Sequence, residues 1–234
     1  IASAKDITFA AAGSGDIVLS DTANLTIDTG STQVGNVSIS DTITNVAGSG
    51  DDATDVTMTA GSGTISLAAI SGDINDVALT STTSITPEGN ITTATDSDDA
   101  AGGASVAVRG DVTFTGPVLL TQDITIDTNS SSNNGKVTFS GTTTTINSSA
   151  ANTPKDLTIL SGSGEVEFAG VIGGTANKHL GALSVNSSGS DTGQIDILAI
   201  GTTTDAGVEG NVALGNTSST GVDFDGVIYN IGGT

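Results

Sequence analysis

A five-residue phrase, Val-Thr-Phe-Thr-Gly at 112–116, returns as Val137-Thr-Phe-Ser-Gly141, Val166-Glu-Phe-Ala-Gly170 and Val222-Asp-Phe-Asp-Gly226. A degenerate copy, Ile195-Asp-Ile197, falls in the remaining gap, so the starts are spaced by 25, 29, 29 and 27 residues. Self-similarity at this period is the signature of a solenoid, because one repeat cannot bury its apolar face alone and must stack on its neighbours. No window carries a helical apolar period; short Val/Ile/Leu pieces alternate apolar, polar, apolar, as strands with one buried face do.

Two further apolar pieces lie between successive phrases, so each repeat contains three strands. Extended backwards, the first strands are Ile17–Leu19, Val37–Ile39, Ile65–Leu67 and Ser84–Thr86, stacked in one column with Val112 and its successors. Second strands follow a short corner, as at Ile43–Val46, Ala68–Ile70, Asn90–Thr92 and Val118–Leu120. Third strands open mostly with Asp or Asn, as at Asp6, Asn24, Asp55, Asp76, Asp123, Asp156 and Asn211, whose side chains bond a nearby backbone amide and turn the chain. Val106–Val108 and Leu183–Val185 are third strands without that opener. The expected fold is all-β: a parallel β-helix of three short strands per coil and about nine coils, a single domain over residues 1–234, with Phe114, Phe139, Phe168 and Phe224 in one internal stack that Ile197 interrupts. Glycines are expected at corners needing positive φ. Long insertions between second and third strands (47–54, 93–104, 147–155, 173–181 and 201–210) would form one ridge along one corner, the natural place to meet a partner.

Twenty-six acidic against five basic residues give a formal charge of −21. That excludes phosphate-backbone binding as a main function, and attraction to an anionic membrane with it. No apolar run is long enough for a membrane span. The chain begins at Ile1, which with the missing polar end caps reads as a piece of a longer repeat protein. It has no cysteine, so disulfides and thiolate metal sites are absent.

Phrases such as Asp123-Ile-Thr-Ile-Asp-Thr128 running into Lys136-Val-Thr-Phe-Ser-Gly141, Asp156-Leu-Thr-Ile159 through Gly170, and Leu180-Gly-Ala-Leu-Ser-Val185 resemble the repeats of giant bacterial surface proteins of the filamentous-haemagglutinin-like and autotransporter type. The resemblance covers residues 105–234 and, more loosely, the first hundred. It implies a right-handed β-helix on the outer cell surface or outside the cell, acting as the shaft of an adhesin that attaches to cells, surface glycans or proteins. Such repeats carry no catalytic motif, so no site residue transfers. A second reading is a self-associating filament, sheath or surface-layer element, because stacked coils leave open sheet edges at their ends.

A β-helical polysaccharide-degrading enzyme would need paired carboxylates and nearby cations. Arg109 lies far in repeats from Lys178 and His179, and the pairs Glu165/Glu167 and Asp223/Asp225 are placed outward as solvated strand faces, so no catalytic residue and no cofactor are expected. Calcium, which takes six to eight oxygens, has two weak candidate loops: Asp51, Asp52 and Asp55 in one, and Asp96, Asp98 and Asp99 in the other. Seven Asn-x-Ser/Thr sequons occur, at Asn24, Asn36, Asn90, Asn129, Asn147, Asn186 and Asn216.

Overall fold

A computed structural model describes residues 5–10, 15–20, 23–30, 34–45, 54–72, 74–93, 110–129, 134–141, 144–186 and 191–232. Among the described residues, short β-branched and aromatic runs between Gly, Ser, Thr and Asx corners form 22 strands and no helix. All paired strands are parallel, and every strand between the first and last described coils pairs with a strand one coil before it and with one a coil after it. The chain is therefore a parallel β-helix, wound through three lanes.

Lane one holds β1 (Ile7–Phe9), β4 (Val37–Ile39), β7 (Thr64–Leu67), β10 (Ser84–Pro87), β13 (Val118–Leu120) and β16 (Thr145–Ser148). Lane two holds β2 (Ile17–Leu19), β5 (Ile43–Asn45), β8 (Ile70–Ser71), β11 (Ile91–Thr92), β14 (Ile124–Asp127), β17 (Leu157–Leu160), β19 (Leu183–Val185) and β21 (Val212–Leu214). Lane three holds β3 (Leu25–Asp28), β6 (Val56–Thr59), β9 (Val77–Thr80), β12 (Val112–Thr115), β15 (Val137–Ser140) and β22 (Val222–Phe224). Two longer strands, β18 (Val166–Ile172) and β20 (Ile195–Ile200), run from lane three into lane one, with an irregularity between Phe168 and Val171. Eight full coils result, and a ninth begins with the bridge Ile200–Tyr229 in lane one.

Inward positions of the three lanes make one continuous apolar core. Phe114, Phe139 and Phe168 lie in it as a column, their centroids 4.9 and 5.1 Å apart and their planes within 5° of parallel. Ile197 is the next member above Phe168, and Phe224 follows it. Below Phe114 the column continues through Leu79, Met58 and Ile27.

That last continuation corrects the expected phase of the first hundred residues. Val112 pairs with Val77, and Val77 with Val56, so the strands opening at Asn24, Asp55 and Asp76 stack with the phenylalanine phrase. Val37, Ile65 and Ile85 instead share lane one with Val118, and Ile17 sits in lane two. The slip arises at the insertion after Thr93. Val106–Val108, expected as a third strand, lies outside the described residues, and lane three of that coil is supplied by β12. Because all three lanes share one apolar-polar-apolar alphabet, one surplus strand rotates the assignments from Asn24 to Thr92 by a third of a coil, and Ile7 and Ile17, expected as a third and a first strand, are displaced by a further third into lanes one and two.

Glycine also acts differently from expectation at one corner. Gly135, Gly164 and Gly193 precede lane-three strands by two residues and carry no left-handed φ. A Cβ on Gly164 would lie 2.0 Å from the carbonyl oxygen of Gly135, and one on Gly193 would lie 1.9 Å from that of Gly164. They are glycine because successive coils approach too closely for any side chain.

Candidate interaction surface

The same phase correction splits the expected single ridge. Insertions at 47–54, 93–104, 129–135 and 186–193 all follow lane two, whereas those at 147–155, 173–181 and 201–210 follow lane one and occupy a different corner. The second group lies wholly among the described residues and is built as part of the coil. Leu180 and Val208 are fully buried there, joined by a parallel bridge, and Val208 bridges in turn to Ile231. Asn152 donates its amide to the Asn177 carbonyl one coil on, at 2.8 Å. Both asparagines are left-handed, at φ 54° and 61°, which lets each loop reverse at the same level of its coil.

The backbones of three residues with basic side chains meet on this ridge around a buried serine. The Ser148 hydroxyl donates to the His179 carbonyl at 2.8 Å and accepts from the Lys155 amide at 2.9 Å, while the Ser148 amide donates to the Lys178 carbonyl at 3.0 Å. His179 Nε2 lies 3.1 Å from Glu209 Oε2. On a chain with five Lys and Arg in 234 residues, this places Lys155, Lys178 and His179 together on one corner. Sequence spacing concealed it, because Lys155 and His179 are 24 residues apart but only one coil apart.

Elsewhere the acidic groups serve the stack. Each Asx before a lane-three strand accepts the backbone amide of the equivalent residue one coil on: Asn24 from Asp55, Asp55 from Asp76, Asp76 from Asp111 and Asp111 from Lys136, at 2.7–3.2 Å. Asp6 with Asn36 in lane one and Asp123 with Asp156 in lane two do the same. The expected bond to a backbone amide is present, but it crosses coils rather than closing a local turn. Burial, with the charges of Asp111 and Asp55 adding to it, pushes the Asp76 carboxyl above its ordinary value.

Lys136 ends the run of Asx and pairs with the Glu165 carboxylate, and this bond holds that carboxylate below its ordinary value. Further along, Glu167, Asp196 and Asp223 point outward in register on lane three, with Glu167 and Asp223 exposed. Gln194 Nε2 donates to Asp196 at 2.9 Å and to Asp223 at 3.0 Å. Burial first, then Glu165 and Asp223, raise the Asp196 carboxyl.

Of the calcium candidates, Asp51, Asp52, Asp96, Asp98 and Asp99 lie outside the described residues, as does Arg109. Asp55 is engaged in the Asx ladder and also accepts from Asn75 Nδ2 at 2.9 Å. Among the described residues no three His, Asp or Glu groups gather as metal ligands. Asp225 is exposed beside Asp223 at the end of the stack. Among the sequons, Asn147 and Asn186 are buried, which bars a glycan there without unfolding the corner. No family model, curated protein or solved structure matches the chain.

Proposed function

We propose that this chain is a non-enzymatic shaft of an extracellular or cell-surface repeat protein, an adhesin segment that attaches to cells or surfaces through the lane-one-to-two ridge. The observation that carries the reading is the ridge itself, where the backbones of Lys155, Lys178 and His179 come together, beside Glu209, on an otherwise strongly acidic rod. Anionic groups of a partner, such as acidic glycans or acidic protein segments, are repelled by the rest of the surface and admitted there. The other chemistry-bearing side chains support this indirectly, being spent coil by coil on holding the stack.

Because Leu180 and Val208 are buried beneath the ridge, shortening its loops would open the core, so the test uses surface charge. Beads coated with the chain are scored for attachment to cells and to surfaces coated with an acidic polysaccharide. The double variant Lys155→Glu/Lys178→Glu, with unchanged circular dichroism, is expected to lose most attachment, and the wild-type chain to lose it with rising salt. Full attachment by the double variant would overturn the adhesive-ridge reading.

A further inference from the structure

We propose that Asn36 and Asn90 are acceptors of N-linked sugars, and that the fold keeps such sugars off the half of the coil stack that carries the ridge. Asn36 stands just before β4 in lane one and Asn90 just before β11 in lane two, and both strands are paired on each side. Their side-chain oxygens are committed to the stack. Asn36 Oδ1 accepts from the Thr64 amide at 2.9 Å and from the Thr64 hydroxyl at 3.0 Å, and Asn90 Oδ1 accepts from the Thr125 amide at 2.9 Å. Their nitrogens are not: neither Nδ2 has a hydrogen-bond partner among the described residues. Asn90 is exposed, and Asn36 is half-buried with its nitrogen still open to solvent. Asn24 bonds the Asp55 amide in the same way, but with a coil on one side only.

The stack does not require those nitrogens. Asp6, Asp76, Asp111, Asp123 and Asp156 make the same bond to the next coil with a carboxylate. An asparagine at such a place adds a nitrogen that the coil leaves unused, and in both cases it completes a sequon. Residues two apart in a strand share a face, so Ser38 and Thr92 stand on the same outward side as Asn36 and Asn90. Glycosyl transfer joins Nδ2 to C1 of a sugar activated as a diphosphate ester. The bond from C1 to the diphosphate oxygen breaks, and the amide proton passes to a base of the transferase. The product keeps Oδ1 and one N–H, so the bond to the next coil survives the modification.

Sequons in the ridge-bearing half are locked. Asn147 is buried, and its Oδ1 accepts from the Thr175 amide at 3.1 Å. Asn186 is fully buried, with Nδ2 donating to the Ser161 hydroxyl at 2.9 Å. Asn216 Nδ2 donates to the Asn186 carbonyl at 3.0 Å and to the Asp191 carbonyl at 3.1 Å. A sugar on any of the three displaces a bond between coils or opens the interior. The last residue of the Asn129 sequon lies outside the described residues. Sugars therefore stand on the second and fourth coils, while the corner formed by 147–155, 173–181 and 201–210 stays bare. They add bulk and hydration to one half of an acidic rod without covering its basic corner.

The test is peptide mapping by mass spectrometry, on the chain in two states. Recovered from the cells that make it, the chain is expected to carry whole-sugar mass increments on the peptides containing Asn36 and Asn90 and none on those containing Asn147, Asn186 and Asn216. Separately, the unfolded chain is modified with UDP-glucose by a sequon-specific N-glycosyltransferase and refolded, and the folded fraction is isolated. Glucose is expected to remain at Asn36 and Asn90 there, and to be absent from Asn147, Asn186 and Asn216. The double variant Asn36→Asp/Asn90→Asp is expected to lose both increments and, unmodified and in high salt to screen the added charge, to melt with the wild-type chain. A native chain bearing no increment at Asn36 or Asn90 overturns the proposal. So does glucose retained at Asn147 or Asn186 in the folded fraction, or excluded from Asn36 and Asn90. A lower melting temperature of the double variant assigns the two nitrogens to the stack and overturns it as well. None of these results touches the adhesive ridge, because its test reads attachment by the lysine variants.

Discussion

Phe139→Ala cuts the stack at its most coupled point. The ring is fully buried and stacks on both neighbours, at 4.9 Å from Phe114 and 5.1 Å from Phe168. Truncating a buried phenylalanine costs about 3–5 kcal/mol in lost transfer and residual cavity. Each aromatic pair adds about 0.5–1.5 kcal/mol beyond burial. The backbone around the ring is clamped by ladders on both sides, so the site cannot collapse and the cost belongs near the upper end, about 5 kcal/mol. That is comparable with the whole stability of an ordinary domain, about 5–15 kcal/mol. Phe224→Ala is the internal control: that ring is half-exposed and has a single edge contact with Tyr229 at 4.7 Å, so about 1–2 kcal/mol is expected.

Urea unfolding followed by far-ultraviolet circular dichroism measures the loss over the whole chain. Fluorescence of Tyr229, the single tyrosine in a chain without tryptophan, reports the last coil alone. In a stack stabilised by nearest-neighbour interfaces, weakening the joint at Phe139 should make the two signals part, because the coils on either side no longer melt together. A Phe139→Ala loss no greater than that of Phe224→Ala, with the two signals still coincident, would refute the view that the phenylalanine column is the axis of stability.

Gly164→Ala should destabilise by about 1–3 kcal/mol or more, since its methyl meets the Gly135 carbonyl at 2.0 Å and that carbonyl is backbone that cannot step aside; a neutral result in thermal melts would show that the coils are not in close contact at this corner. Acidification should first stabilise the chain. Asp76, Asp191 and Asp196 have carboxyls raised in the folded state, chiefly by burial, so their contribution is present at low pH and is lost as pH rises through the folded values. The melting temperature is therefore expected to climb as pH falls through those raised folded values towards the ordinary aspartate value of about 3.9. Glu165, lowered by Lys136, acts oppositely: its contribution is present above the ordinary glutamate value of about 4.3 and lost as pH falls through its lower folded value. Asp76→Asn should raise the melting temperature at pH 7 and flatten the rise; a melting temperature that falls steadily from pH 7 to about pH 4, near the ordinary aspartate value, would contradict the assignment.

The central column could be read from the chain because phenylalanine is rare in it. Five phenylalanines in 234 residues, four of them in one recurring phrase, fix both the lane and the level of Phe114, Phe139, Phe168 and Phe224, and Ile197 is identified by the rhythm alone. The lanes of the first hundred residues carry no such label. Ile, Val, Leu and Thr serve all three equally, so one extra apolar run near Val106 shifts the assignments from Asn24 to Thr92 by one lane. The expected single ridge splits for the same reason, since which corner an insertion occupies depends on the lane that precedes it. The glycine spine was visible as Gly-x-Val and Gly-x-Ile before lane-three strands, but its cause was not. Composition favours turns as the explanation, whereas close approach of two backbones is a property of neighbouring coils that only the fold supplies.

In-register parallel stacking also constrains where charge can go. Any charged residue repeated at one level of the phrase becomes a column of like charges at about the strand spacing of 4.8 Å. The residue before each lane-three strand shows how the chain relieves this. Asn24 begins the column, Asp55, Asp76 and Asp111 follow, and burial with mutual repulsion already raises Asp76. Lys136 then reverses the sign, Glu165 pairs with it, and Gln194 supplies an uncharged donor between Asp196 and Asp223. The repeat is strict where residues face inward, because identical apolar groups stack favourably, and it varies where they face outward, because identical charges do not. The conspicuous departures from the phrase are therefore electrostatic corrections required by the stack. The gathering of Lys155, Lys178 and His179 at one corner is a departure the stack does not require, and it is there that the proposed attachment surface is placed.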